Sequence, residues 1–237
     1  MANIDADDIW HEEYLQRMES ALAQFPESPA AFSRYKTFLS EEGQKPWTAQ
    51  DTENNDVIPM EIHEFLQFEQ TGMPVLPSYY VMRSSALKRL GTRPYREEHV
   101  CGETLAVVPM LAAMGSTLCL PARLGQYRLH GGSITGSEIK TARWMVRVAE
   151  EMIERSEELG FDPNTRKEIR RYAGYWSRKS GRRLGGGGFR GEGRKAVFTG
   201  FKQGHEMKTM AILLASLVPG MGSRVWRRRW RPESAQK

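Results

Sequence analysis

Cysteine is almost absent: the chain has two, Cys101 and Cys119, in 237 residues. That count excludes a disulfide framework and a Cys-x-x-Cys metal knuckle, and it suits a reducing cytoplasm. A long apolar run is lacking too. The longest, Met210 to Val218, falls far short of the ~20 residues that span a bilayer as a helix. Residues 1–20 are acidic and carry no basic leader followed by an apolar stretch, so neither a signal peptide nor a membrane span is expected. No internal repeat is visible. The glycine run Gly185 to Gly188 lacks the strand before it and the Lys-Ser or Lys-Thr after it that a phosphate loop requires.

What is present is a folded protein's composition, 40% apolar with six tryptophans, enough for one main domain with appendages. Charge is strongly polarised along the chain. Residues 1–60 carry 4 basic and 12 acidic side chains, net −8; residues 61–160 carry 11 and 12, net −1; residues 161–237 carry 19 and 5, net +14. Such asymmetry suits a basic tail that meets a polyanion, or a solvated basic surface.

Three carboxylates, Asp5, Asp7 and Asp8, lie within four residues. Alternate carboxylates on an extended segment can converge on a hard divalent cation, which takes oxygen ligands and leaves room for substrate phosphates. Asp5 and Asp7 have that spacing. The competing reading is an acidic turn that caps a helix, and Asp8 is assigned that role as N-cap of the next helix.

The periodicities predict helices over Ile9–Gln24, Glu61–Gln70, Ser84–Leu90 and Thr104–Met114, then a long amphipathic helix from Glu138 to Gly160 and another over Thr165–Lys179. Pro109 should kink the Thr104–Met114 helix. Strands are predicted at Pro74–Val81, Thr117–Leu120 and Gly125–Leu129, with 40–58 as a long surface loop.

The segment Asp5-Ala6-Asp7-Asp8-Ile9-Trp10 resembles the acidic motif of family 2 glycosyltransferases with the GT-A fold. A second block in the right order is similar to the same family: Gly102-Glu103-Thr104-Leu105, then Leu111-Ala112-Ala113-Met114-Gly115, then Gln126-Tyr127-Arg128-Leu129-His130-Gly131-Gly132-Ser133. The resemblance covers roughly residues 1–155, and the half of the family's domain that precedes the acidic motif has no counterpart. It implies an α/β fold, mostly helical with a partial mixed sheet: the C-terminal portion of a GT-A domain over 1–137, an α-helical extension over 138–183, a Gly-rich hinge over 184–206 and an apolar segment with a basic Trp/Arg tail over 207–237.

The activity implied is inverting transfer of a sugar from a nucleotide-sugar donor to a polysaccharide or lipid-linked acceptor. The alternative is a remnant that binds a glycan or a protein. Asp5, Asp7 and His130 would hold Mg or Mn, and Asp5, Asp7, Arg128 and His130 would hold the donor's diphosphate. Arg128 suits that role through its planar fork, while His130 could ligate metal, donate to phosphate or be structural. The family's carboxylate base follows a glutamate in a Glu-Asp pair. Here the pair reads Glu103-Thr104, so either Glu103 serves or the base is lost, with Glu97 and Glu98 as substitutes. A half-sheet without neighbours would expose an edge, which implies a partner chain or a homodimer. The tail, with Trp226 and Trp230 among arginines, could hold the chain peripherally on the inner face of an anionic membrane, or pack as a last helix; nucleic acid is the least favoured partner.

Overall fold

The computed structural model describes residues 1–71, 74–91, 93–95, 103–130 and 138–204. The chain divides into two compact units, Met1–Arg96 with Val107–Ser133, and Glu97–Ala106 with Ile134–Lys237. The tail over 207–237 lies outside the described residues, as do Glu97 and Glu98.

The first unit is built on a mixed sheet. Its strands are β1 (Ile9–Trp10), β2 (Ala30–Leu39), β3 (Ile58–Met60), β4 (Tyr80–Met82) and β5 (Thr117–Leu129). The order is β1-β5-β2-β4, with β3 also on β5. β5 runs parallel to β2, while β1 and β3 pair antiparallel with β5 at Gly125–Gln126 and Thr117–Cys119. β5 is long enough to take both short strands along one edge.

Two expected strands, Thr117–Leu120 and Gly125–Leu129, are therefore one. Pro121 sits where the register against β2 slips, from Ser33↔Leu120 to Tyr35↔Gly125. An irregular ladder tolerates a residue that donates no hydrogen bond. β2, the centre of the sheet, is an element the sequence reading lacks. Ala30–Ser33 are buried on both faces and the ladder to β5 slips at Ser33–Tyr35, so its residues show no clean alternation.

Helix α1 (Tyr14–Gln24) buries Tyr14, Met18, Ala21 and Leu22 against Ala31 of β2 and Leu118, Leu120, Ala122 and Leu124 of β5. Phe32, next along β2, meets Phe65 and Phe68 of α3 (Ile62–Thr71) at ring distances of 5.7 and 5.4 Å. α2 (Ala49–Thr52) and α4 (Ser84–Arg89) are short. α5 (Glu103–Ala112) remains helical through Pro109, and the boundary between the units falls within it. The predicted strand Pro74–Val81 is a 3-10 turn at Pro77–Tyr79 followed by β4.

The second unit consists mainly of α6 (Glu138–Glu158), α7 (Pro163–Gly186) and α8 (Arg190–Gly204). Asp162 caps α7 by accepting the N–H groups of Asn164 and Thr165, and Pro163 occupies the first helical position, where its missing N–H costs nothing. The expected hinge over 184–206 is corrected here. α7 continues to Gly186, a tight turn follows, and α8 packs back along α7.

The glycines serve close approach. A Cβ on Gly181 would lie 2.7 Å from the Gly193 carbonyl oxygen, and one on Gly200 would lie 2.6 Å from that of Gly174. Arg178, buried in this crossing, donates to the Gly200 carbonyl at 3.0 Å. Among the described residues no helix is long and apolar enough to cross a membrane.

Candidate functional site

Although β1 is only two residues long, its pairing with Gly125 and Gln126 lays residues 5–8 beside the end of β5. Ser78 then pins the segment twice. Its hydroxyl accepts the Asp5 N–H at 3.1 Å, and its carbonyl accepts the Trp10 indole N–H at 2.5 Å. Asp8 N–H closes a turn onto the Asp5 carbonyl at 3.1 Å, and Trp10 stacks on Tyr14 with 4.5 Å between ring centroids.

This arrangement grades the three carboxylates by depth. Asp5 is exposed, Asp7 half-buried and Asp8 buried. Asp7 Oδ2 meets His130 Nε2 at 2.8 Å, a contact between residues 123 positions apart. Both side chains stay about one-third exposed, at 38% and 35%, and so remain open to a ligand.

Asp8 corrects the capping expectation. α1 begins after Glu13 with no side-chain cap, and Asp8 turns inward, accepting the Arg128 backbone N–H at 3.3 Å. Burial pushes its carboxyl above the usual range, and the charges of Asp5 and Asp7 add to the rise; the Ser78 hydroxyl and Arg128 N–H oppose it. Among the described residues neither its second oxygen nor the hydroxyl of buried Tyr79 makes a hydrogen bond of ordinary geometry, although the two side chains interact. Tyr79 is pushed well above the ordinary tyrosine range, first by burial and then by the charge of Asp8.

Arg128 takes a place that spacing alone does not foretell. Its guanidinium lies over the ring of Phe38, its neighbour on β2, at 5.4 Å, and its Nε is buried with no partner among the described residues. Among the described residues it forms no ion pair with Asp5, Asp7 or Asp8. Glu103 opens α5, and its side chain lies outside what is described.

The loop over 40–57 is a strap rather than a free surface loop. Gln126, fully buried, holds the Lys45 backbone with both ends of its amide, at 3.0 and 2.7 Å. Buried Asp51 pairs with Lys36 at 2.7 Å and Arg123 at 3.5 Å, and Arg17 holds the Thr52 and Asn54 carbonyls. Trp47 carries Lys36 over its ring at 4.7 Å and meets His11 edge-on at 5.0 Å. The strap therefore ends near the acidic segment. Sequence reasoning missed Ser78, Gln126 and Asp51; the capping box Thr48-x-x-Asp51 was the one readable signal among them.

A separate cavity of about 630 Å³, lined by Met1, Leu15, Leu22, Met82 and Arg83 among others, includes none of Asp5, Asp7, Arg128 or His130. Among the described residues no group of three or more His, Cys, Asp or Glu side chains could hold a metal ion. Asp7 and His130 supply two donors, one of them an imidazole, which a hard cation such as Mg takes less readily than oxygen. A dedicated protein cage would need more donors. No family model matches the chain, and no curated protein or solved structure matches it.

Proposed function

We propose that the chain is the acceptor-side portion of a family 2-type, inverting glycosyltransferase that binds the diphosphate of a nucleotide sugar at Asp5, Asp7, Arg128 and His130. One observation carries the reading: Asp7 and His130, which belong to the two separate sequence blocks, are 2.8 Å apart. Chance likeness in two distant blocks gives no reason for their polar residues to meet at one end of a sheet.

The residues have separable tasks. Asp7 and His130 would hold Mg or Mn together with the diphosphate oxygens, and Asp5 would contribute from the exposed lip of the same turn. The cation would supply neutralisation of the charge that collects on the leaving diphosphate. For Arg128 to serve, its guanidinium must swing from the Phe38 ring to the phosphates, where its fork matches two oxygens.

In the transfer, an acceptor hydroxyl oxygen bonds to the anomeric carbon on the side opposite the diphosphate. The bond from that carbon to the diphosphate oxygen breaks, and its electron pair leaves with the diphosphate. The hydroxyl proton passes to a carboxylate, for which Glu103 is the candidate. A lipid-linked acceptor would give the basic tail its use, at the inner face of a membrane. The resting position of Arg128 over Phe38 favours a second reading, a remnant that binds a glycan or protein without transferring sugar.

Calorimetric titration of a nucleoside diphosphate with Mn tests the reading. The intact chain is expected to bind, and Asp5→Ala with Asp7→Ala to weaken binding at least about tenfold, one charge-assisted contact's worth. Absence of binding by the intact chain, or unchanged binding by the double variant, would overturn donor binding and leave the remnant.

A further inference from the structure

The helices of the second unit are charged unevenly along their length. Residues 163–204 carry twelve basic and two acidic side chains, net +10. On α6 the exposed side chains change sign: Lys140, Arg143 and Arg147 lie towards its start, and Glu150, Glu154, Glu157 and Glu158 towards its end. The start of α6 lies at the α7–α8 turn. A Cβ on Gly187 would touch Ile139, and Arg143 pairs with Glu192 at 2.8 Å. α6 thus changes sign along its length, and the start of α7 brings Lys167, Arg170 and Arg171 beside its acidic end, where Arg170 pairs with Glu157 at 2.7 Å.

Among the described residues of this unit, the exposed large apolar side chains are Phe189 and Phe198, 40% and 46% exposed. Phe189 sits in the α7–α8 turn itself. Phe198 lies on the outer face of α8 between Lys195 and Lys202, one turn before and one turn after it, and both lysines are exposed. Each ring carries a cation on its face: Arg143 over Phe189 at 4.4 Å, and Lys202 over Phe198 at 4.8 Å.

We propose that the α7–α8 turn and the outer face of α8 form a docking surface for an anionic lipid bilayer. The surface does not depend on the sugar-transfer reading. An aromatic ring between lysines on a helix face is the pattern of an interfacial anchor: the ring enters the headgroup boundary while the ammonium groups stay at the lipid phosphates. A nucleic acid fits less well, because each ring already has a cation over one face, which leaves a single face for base stacking.

The test is co-sedimentation of the full chain with vesicles of phosphatidylglycerol mixed with phosphatidylcholine, against phosphatidylcholine alone. Each basic residue at an anionic surface contributes about fivefold in partitioning, so Lys195→Glu with Lys202→Glu should lower it at least about 25-fold. Phe198→Ser should lower it severalfold more. All three side chains face outward, so helicity by circular dichroism should not change. Lys195→Gln with Lys202→Gln, which adds no repulsion between helices, should still lose most of the binding.

Wild-type partitioning into both lipid mixtures alike would overturn the proposal. So would wild-type partitioning by the lysine variants, or loss of binding in Trp226→Ser with Trp230→Ser but in none of the α8 variants. Binding of a single-stranded RNA oligonucleotide, with the same residue dependence and no vesicle binding, would assign the surface to nucleic acid instead.

Discussion

Gly125 offers the sharpest check on how the site is held together. A Cβ there would lie 2.2 Å from both Cδ1 and Cε1 of Tyr79. Ordinary carbon contacts are about 3.5–4.0 Å, so the ring would have to retreat by about 1.5 Å. It has nowhere to go, since Tyr79 is fully buried and stacked on Tyr35 at 4.8 Å and 23°. Overpacking of this kind costs about 1–3 kcal/mol, and here the upper part of that range applies. Removing a flexible glycine from a strand returns about 0.5–1 kcal/mol. Gly125→Ala should therefore destabilise the protein by about 2 kcal/mol, read as a fall in the urea midpoint by tryptophan fluorescence. In a Tyr79→Val background the obstruction is gone, and the same substitution should be neutral or slightly stabilising. The coupling between the two sites should then be about 2 kcal/mol. A coupling below about 0.5 kcal/mol would refute the packing argument. Because Ser78 adjoins Tyr79 and pins Asp5 and Trp10, the single variant should also weaken nucleoside diphosphate binding.

Two further outcomes follow from buried charge and from the glycine crossing. Burial alone would raise the Asp51 carboxyl, but the hydrogen bonds from Lys36 and Thr48 and the charge of Lys36 outweigh it and hold the group at about 2. Its folded value lies below its unfolded one, so the stability it contributes is full above about pH 4 and is lost as pH falls towards 2. Trp47 fluorescence should report the strap loosening over that window, and Asp51→Asn should abolish the acid dependence; an unchanged profile would show that another group controls the loop. In thermal denaturation, Gly191→Ala should stabilise α8 by up to about 1 kcal/mol, because a Cβ there meets nothing within 4 Å. Gly181→Ala gains the same propensity but places a Cβ 2.7 Å from the Gly193 carbonyl oxygen, and should be net destabilising; a stabilising result would mean that the helices are not in close contact.

Periodicity alone placed α3 and α6 to within two residues and found α1 and α7, because each has one buried and one exposed face, but it began α1 five residues early and ended α7 seven residues short. It failed where that contrast is missing. The first four residues of β2 are buried on both sides and the ladder slips at Ser33–Tyr35, so Ala30–Leu39 reads as neither helix nor strand. The Gly185–Gly188 run reads as a linker by composition, yet the informative glycines are Gly174 and Gly181 on α7 and Gly193 and Gly200 on α8. Each pair is seven residues apart, the spacing that returns a helix to the same face. At the site, the meeting of Asp7 with His130 was legible as a juxtaposition of two motifs. The depth of Asp8 was not, because its neighbours Ser78 and Tyr79 come from a distant turn. Nor was the resting place of Arg128, since strand alternation gives a side but not the long-range partner on it.

The acidic segment is held almost entirely by polar contacts, and that has a bearing on how it would bind. Among the described residues, four hydrogen bonds of residues 5–8 are well formed: Asp5 to Ser78, Asp8 to the Asp5 carbonyl, Arg128 to Asp8, and Asp7 to His130. At a net of about 1 kcal/mol each they supply about 4 kcal/mol. Fixing the backbone of four residues costs about 4–8 kcal/mol. The two nearly cancel, so the order of the segment rests on its anchored end, where Trp10 stacks on Tyr14 and bonds to the Ser78 carbonyl. A ligand that engages Asp7 and His130 together would then tighten the whole turn, and its affinity would depend on Trp10 and Ser78, which need not touch it.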